Sequence, residues 1–135
     1  MLIRLLGLFF LITALSACSE PPYNNLDNKQ LKTMLDQNVL LFDVRRPDEW
    51  HQTGVVEGSK LLTFVDGSGQ VKADFLARFT AAVDKNDPVI LICRTGNRTS
   101  KLAYHLVEKM GFTQVYNVRN GITRWIRDGQ PTKRI

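Results

Sequence analysis

Apolar residues along this chain fall into two alternating patterns, which are short continuous runs and positions spaced three to four residues apart. The runs cover residues 39–44, 61–65, 89–92 and 115–118, and mostly apolar runs of this length are typical of strands that are buried on both faces. Helical spacing is found over residues 26–35, 47–50, 75–83, 98–110 and 122–127. The alternation predicts an α/β domain with a central, mostly parallel sheet and helices on both faces.

Residues at the predicted helix ends support this assignment. Asp27 or Asn28 is suited to cap the first helix, because a short polar side chain accepts a hydrogen bond from a free N–H group of the first turn. Pro47 and Glu49 lie where the second helix begins, at the positive end of its dipole. Gly111 follows the fourth helix and is suited to a left-handed C-terminal cap.

The first 17 residues differ from the rest of the chain in composition. They hold one charged residue, Arg4, and an uncharged, mostly apolar stretch over residues 5–15. This stretch is too short for a membrane-spanning helix, which needs about 20 apolar residues, but it suits the apolar core of a secretory signal peptide. Removal of these 17 residues from the 135 leaves 118, which is enough for one domain and too few for two ordinary domains.

Residues 15–18 (Leu-Ser-Ala-Cys) resemble the bacterial lipobox, at which a signal peptide is cut before a cysteine whose thiol carries diacylglycerol. The resemblance implies a signal peptide over residues 1–17 and a lipidated Cys18 with a tether over 18–25, which leaves a folded domain over 26–135. It also implies a lipid anchor on the periplasmic side of a bacterial membrane, and Ser19 after the cysteine favours the outer membrane. An ordinary secretory signal peptide is the alternative.

Charge and cysteine content exclude several function classes. The net charge of +5 is small, and one unit of it comes from Arg4, so no nucleic-acid partner is expected. Two cysteines, Cys18 and Cys93, are too few for a disulfide framework or a multi-cysteine zinc site. His51 and His105 have no partner at metal-ligand spacing, so we expect both at the surface and predict no metal and no cofactor.

The segment after residues 89–92 is the strongest candidate for chemistry. The predicted strand ends at Cys93, a polar loop containing Gly96 follows, and the next helix begins near Arg98. Ligands of parallel α/β sheets bind where the strands end, and a loop that leads into a helix directs N–H groups and the positive end of the dipole at an anion. Such a loop favours the thiolate of Cys93, and its arginines attract an anionic substrate. The predicted substrate-binding residues are Arg94, Thr95, Gly96, Asn97, Arg98 and Thr99.

Three segments of the chain, in order, resemble the signatures of rhodanese-family sulfurtransferases. They are residues 41–50, the loop over 93–98, and residues 117–125 together with 129–131. The resemblance implies a single rhodanese-like domain that moves a sulfane sulfur through a persulfide on Cys93. It implies thiosulfate or a similar small anion as donor, and cyanide, a thiol or a protein as sulfur acceptor.

Other functions are compatible with a loop cysteine. Related phosphatases place five residues between cysteine and arginine, whereas four residues separate Cys93 from Arg98, which suits one sulfur atom better than a phosphate. A rhodanese-like module that is not catalytic, or that relays sulfur to a docked periplasmic protein, is the main alternative. A thiol redox sensor and an inert core cysteine are further hypotheses.

Acidic residues of the first signature allow more than one role. Asp43 either supports the Cys93 loop, by accepting hydrogen bonds from Arg98 or from loop N–H groups, or forms a structural ion pair with Arg45 or Arg46. Glu49 fits a charge at a helix start better than a catalytic acid.

Overall fold

The computed structural model describes residues 19–135, so the predicted signal peptide and Cys18 lie outside the described residues. Strands and helices alternate along the described chain. The strands are β1 (Asn24–Leu26), β2 (Leu40–Asp43), β3 (Lys60–Leu61), β4 (Val89–Ile92) and β5 (Val115–Val118). The helices are α1 (Asn28–Asp36), α2 (Pro47–Thr53), α3 (Phe75–Ala82), α4 (Asn97–Met110) and α5 (Gly121–Arg127).

The strands form one parallel sheet in the order β1-β5-β4-β2-β3. The central strand β4 lies between β5 and β2, and all of its residues are buried. A helix follows each of the first four strands and returns the chain to the same end of the sheet, as parallel pairing requires. The parallel α/β architecture predicted from the apolar runs is therefore confirmed.

One edge strand was not predicted. Asn24 and Asn25, which the sequence pattern places in the tether, pair with Tyr116 and Asn117 as part of β1. Both asparagines are exposed, and a polar edge strand produces no apolar run in the sequence. The sheet therefore begins two residues earlier than the predicted domain boundary.

The opposite edge strand is shorter than predicted. The expected strand over residues 61–65 is limited to Lys60–Leu61 in β3. Val65 instead forms an isolated antiparallel bridge with Val71, on the other side of a turn. The apolar residues of 61–65 thus mark a short strand followed by one side of a small hairpin.

Side chains of the central strands alternate between two apolar cores, because successive residues of a strand point to opposite faces. Phe42 and Leu91 lie in the core that α3 and α4 cover, where Phe79 is fully buried. Leu41 and Ile90 lie in the core on the other face, which α1 and α5 cover. Helices thus cover both faces of the sheet, as the sequence predicted.

Two helix ends also agree with prediction. Asp27 is the N-cap of α1: its carboxylate accepts a hydrogen bond from the Gln30 N–H at 2.8 Å, and the Gln30 side chain accepts from the Asp27 N–H at 2.9 Å. Gly111 caps α4 with a φ of 76°. No helix within residues 19–135 is both long and apolar enough to cross a membrane.

The carboxyl ends of β2, β4 and β5 meet at one edge of the sheet. Cys93 directly follows β4, Arg45 lies just after β2, and Arg119 directly follows β5. Because ligands of parallel sheets bind at this edge, the fold brings the three signature segments together where chemistry is expected.

Candidate active site

The Cys93 sulfur lies at the base of the loop over residues 93–98, which we call the Cys93 loop. Cys93 is only 1% exposed. Its Sγ accepts a hydrogen bond from the Gly96 N–H at 3.2 Å and lies 3.3 Å from the Thr99 hydroxyl oxygen. The sulfur therefore has one backbone donor and one hydroxyl that can either donate or accept, and it is almost completely shielded from solvent.

The first turn of α5 holds the Cys93 loop from behind. The Ile122 N–H donates to the Cys93 carbonyl at 2.9 Å, and the Thr123 N–H donates to the Arg94 carbonyl at 3.1 Å. These bonds fix the loop carbonyls on the α5 side. The loop is therefore held in place against α5 by its own backbone.

Two glycines allow the Cys93 loop and the β5–α5 turn to touch through their backbones. A Cβ on Gly96 would lie 2.1 Å from the Arg119 carbonyl oxygen, and one on Gly121 would lie 2.3 Å from the Arg94 carbonyl oxygen. Both glycines also have positive φ values, 91° and 61°. Any side chain at either position would strain the backbone and push the loop away from the turn.

Glu49 of α2 fixes Arg98 with two hydrogen bonds. The Arg98 Nη2 donates to Glu49 Oε1 at 2.6 Å, and Nη1 donates to Oε2 at 2.8 Å. The Arg46 N–H also donates to Glu49 Oε2 at 3.0 Å. This bidentate pair sets both the position and the plane of the Arg98 guanidinium beside the Cys93 loop.

The Glu49–Arg98 pair is charged across the neutral pH range. Burial acts to raise the pKa of Glu49, but the hydrogen bonds from Arg98 and from the Arg46 N–H, with the positive charges of both arginines, outweigh it and lower that pKa from 4.5 to about 2. The hydrogen bond to Glu49 likewise raises the pKa of Arg98. The loop arginine therefore keeps both its charge and its partner at physiological pH.

Asp43 supports the Cys93 loop only indirectly, which corrects one of the two roles considered for it. Within the described chain its carboxylate bonds neither Arg98 nor the loop N–H groups; it accepts from the Arg45 guanidinium at 2.8 Å and from Trp50 Nε1 at 3.1 Å. The structural ion pair with Arg45 is thus the role observed. Arg45 is itself 1% exposed, and a buried guanidinium needs a partner charge. Its Nη1 donates to the Glu49 carbonyl at 3.2 Å, so this pair positions the helix that carries Glu49.

Comparison with protein families decides the identity of this fold. Residues 27–128 match the family model described as rhodanese-like domain. The chain belongs to the rhodanese-like domain family. The match covers strands β2 to β5 and every signature segment except residues 129–131.

Two relatives of this rhodanese-like domain are named as sulfurtransferases. Thiosulfate sulfurtransferase 16, chloroplastic, of Arabidopsis thaliana is 33% identical over 94 residues, which cover 67% of this chain and 77% of the relative. Thiosulfate sulfurtransferase GlpE of Pseudoalteromonas translucida is 28% identical over 104 residues, which cover 76% of this chain and 89% of the relative. These names place the domain among relatives that transfer sulfur.

Solved structures show the same fold. The solution structure of the polysulfide-sulfur transferase homodimer from Wolinella succinogenes aligns with a TM-score of 0.66 at 24% identity, covering 84% of this chain and 80% of that one. A rhodanese-like domain protein from Staphylococcus aureus aligns with a TM-score of 0.62 at 23% identity, covering 82% and 98%. The predicted rhodanese-like architecture is confirmed by this similarity.

Two clefts border the Cys93 loop of this rhodanese-like domain, and Arg46 lines both of them. One, of about 340 Å³, is also lined by Glu49 and the exposed Arg94. The other, of about 620 Å³, is lined by Arg98 and Lys101 on one side and by apolar residues of the 64–71 hairpin on the other. Both approaches to the loop thus carry positive charge, which favours an anionic substrate.

Both histidines lie at the surface, as the sequence predicted. His51 and His105 are exposed, and within residues 19–135 no cluster of three metal-ligating side chains occurs. Arg124 is exposed and pairs with Asp128 at 2.9 Å. Of the predicted loop residues, Arg94, Thr95 and Asn97 are exposed, whereas Gly96 and Thr99 are buried.

Sequence reasoning missed two residues of the site. Glu49 fills the predicted helix-start role but also holds Arg98, and Asn117 accepts a hydrogen bond from the Thr99 hydroxyl at 2.5 Å. Both residues lie near the carboxyl ends of parallel strands, and these ends meet at one side of the sheet. Pairing the polar residues near those ends would have brought Glu49 close to Arg98.

Proposed function

We propose that this rhodanese-like domain is a sulfurtransferase that carries a sulfane sulfur as a persulfide on Cys93. The observation that supports it most is the setting of the sulfur. Cys93 Sγ accepts a hydrogen bond from the Gly96 N–H, within a loop that ends at the fixed guanidinium of Arg98. Relatives named thiosulfate sulfurtransferase give independent support for the reaction class.

The proposed reaction has two displacement steps. The Cys93 thiolate attacks the outer sulfur of thiosulfate, the sulfur–sulfur bond of the donor breaks, and sulfite leaves with the bonding electrons. The enzyme then holds a persulfide. In the second step a nucleophile such as cyanide or a thiolate attacks the outer sulfur of the persulfide, and the Cys93 thiolate leaves. Sulfur and electrons balance over the two steps without an oxidant or a metal.

The residues around Cys93 divide this work between them. Arg46, Arg94 and Lys101 line the clefts beside the loop and attract a dianionic donor. The loop N–H groups stabilise the negative charge that develops on the transferred sulfur. Arg98, held by Glu49, stabilises the thiolate and then the persulfide anion through its charge.

The turnover experiment uses thiosulfate with cyanide and measures thiocyanate. We expect steady release by the wild-type chain and none above background by Cys93→Ser, which keeps the shape of the site but lacks the thiol. Parallel reactions with 3-mercaptopyruvate and thiol persulfides as donors rank the donor class. Equal thiocyanate release by both proteins, or none from any donor, would contradict the proposal.

We also propose that the chain is anchored, through acyl groups on Cys18, to the periplasmic side of a bacterial membrane. Ser19 after the cysteine favours the outer membrane. The sequence of residues 15–18 (Leu-Ser-Ala-Cys) supports this proposal. Two or more acyl chains are sufficient to hold a protein stably at a membrane. We expect wild-type protein in the membrane fraction with incorporated palmitate. Cys18→Ser should carry no palmitate and leave that fraction. A wild-type chain without palmitate, or Cys18→Ser that still incorporates it, would refute lipidation of Cys18.

A further inference from the structure

A row of hydrogen bonds runs from the Cys93 sulfur to an exposed edge of the sheet. Cys93 Sγ lies 3.3 Å from Thr99 Oγ1, the Thr99 hydroxyl donates to Asn117 Oδ1 at 2.5 Å, and Asn117 Nδ2 donates to Asn25 Oδ1 at 3.0 Å. Cys93, Thr99 and Asn117 are each at most 2% exposed, whereas Asn25 in β1 is exposed. The buried sulfur is thus connected to the surface through three polar side chains.

The direction of the hydrogen bonds in this row is linked to the state of the sulfur, because either Cys93 or Thr99 can be the donor in their contact. A hydroxyl has a single proton to donate, and with the Asn117 amide as placed the Thr99 hydroxyl gives it to Asn117. In that arrangement Thr99 Oγ1 meets the sulfur as an acceptor, and Cys93 donates an S–H. The observed arrangement suits the thiol form of Cys93.

An ionised sulfur requires the opposite arrangement. A thiolate or persulfide only accepts, so the Thr99 hydroxyl has to turn towards the Cys93 sulfur. Asn117 Oδ1 then loses its donor, and an unpaired buried oxygen is costly. Rotation of the Asn117 amide by half a turn restores the pairing, because Nδ2 would donate to Thr99 and Oδ1 would face Asn25. The rotation gives up only the long contact of Nδ2 with the Gly96 carbonyl at 3.5 Å. An exposed Asn25 amide is free to turn and donate in its place.

We propose that Asn117 and Asn25 are positioning residues that set the direction in which the Thr99 hydroxyl donates. The two amides turn together when Cys93 changes from a thiol to an anion. This inference deepens the proposed function, because the same arrangement that supports the thiolate supports the persulfide. Neither asparagine touches the reacting sulfur, and both act through Thr99.

Charged groups around Cys93 are the same in both arrangements. Arg98 of α4 ends the Cys93 loop, and Glu49 of α2 holds it. On β2, Asp43 is paired with Arg45. A change made at Asn25 leaves all of these groups in place, so it isolates the contribution of the hydrogen-bonded row.

Asn25→Asp tests the proposal at the exposed end of the row. A carboxylate can only accept, so it holds Asn117 Nδ2 towards β1 and keeps the Thr99 hydroxyl away from the sulfur. We expect the pH midpoint of Cys93 alkylation by iodoacetamide to rise by about half a pH unit or more. Persulfide formation from thiosulfate at neutral pH should slow about threefold or more as a consequence. Asn24→Asp is the matched control, since it adds the same charge to the opposite face of exposed β1 and should leave the midpoint unchanged.

The same pair of measurements in a Thr99→Val background separates the row from a simple effect of charge. Without the hydroxyl, Asn25→Asp should no longer move the alkylation midpoint. An equal shift in both backgrounds, an equal shift for Asn24→Asp, or no shift at all would overturn the proposal. Alkylation needs no sulfur donor, so these outcomes are independent of whether Cys93 carries sulfur. Absence of persulfide with an intact alkylation shift would contradict only the proposed function.

Discussion

Alanine at position 96 should lower thiosulfate-dependent sulfur transfer by about 100-fold or more, which is the scale of losing one donor to a reacting anion. The new Cβ would lie 2.1 Å from the Arg119 carbonyl oxygen, so the loop has to move away from the β5–α5 turn. That movement displaces the Gly96 N–H, which donates to the Cys93 sulfur at 3.2 Å. Steady-state rates of Gly96→Ala and wild type, measured at equal protein concentration, give the ratio.

A second glycine variant separates this effect from general backbone strain. Gly111 has a φ of 76°, close to the value at Gly96, but a Cβ there meets nothing within 4 Å. The free energy of unfolding of Gly111→Ala should therefore be lower by about 1–2 kcal/mol, while the variant keeps nearly all of its sulfur-transfer activity. Similar activity losses in the two variants would show that backbone strain, rather than a clash with the β5–α5 turn, lowers the activity of Gly96→Ala.

Glu49→Gln should reduce sulfur transfer by about tenfold or more, because the Arg98 guanidinium loses a charged, bidentate partner. The amide keeps the shape of the side chain but places an NH2 group against a cation. Asp48→Asn is the control on the same helix, since Asp48 is exposed and bonds only Arg46 within the described chain. An activity of Glu49→Gln equal to that of Asp48→Asn would show that the position of Arg98 does not matter for catalysis.

The stability of Glu49→Gln should depend less on pH than that of the wild type. The pKa of Glu49 falls from 4.5 to about 2 in the folded protein, so its stabilising contribution is complete above pH 4.5 and is lost as the pH falls towards 2. Denaturant unfolding at several pH values in that window measures the difference. Asp66 and Asp128 also have lowered pKa values, and they contribute equally to both proteins. A parallel pH dependence in the two proteins would contradict the role assigned to the Glu49–Arg98 pair.

The sequence pattern was most informative where burial determines the residue type. Strand β4 is buried on both faces, so its four residues are apolar and are followed at once by Cys93. The same reasoning located β2 and β5, and with them the edge of the sheet that carries the site. It failed for β1, whose exposed Asn24 and Asn25 gain their strand structure by pairing with β5.

Contacts between distant segments were harder to predict than the elements themselves. Glu49 precedes Arg98 by 49 positions, and Asn25 precedes Asn117 by 92. The identity of each residue is compatible with a local role, as a helix-start charge or a tether residue. Only the rule that parallel strands end at one side of the sheet brings Glu49 and Arg98 together, and no such signal exists for Asn25. Asp43, at the end of β2, was open to two roles in the sequence, and its carboxylate pairs with the buried Arg45 two residues away rather than with the loop.

The mass of the protein after brief exposure to thiosulfate tests the central claim most directly. Our account predicts that the wild-type chain gains one sulfur atom, that peptide analysis places it on Cys93, and that added cyanide removes it. Cys93→Ser, treated in the same way, should gain nothing. A wild-type chain that gains no sulfur, or that gains it on a residue other than Cys93, would contradict the account.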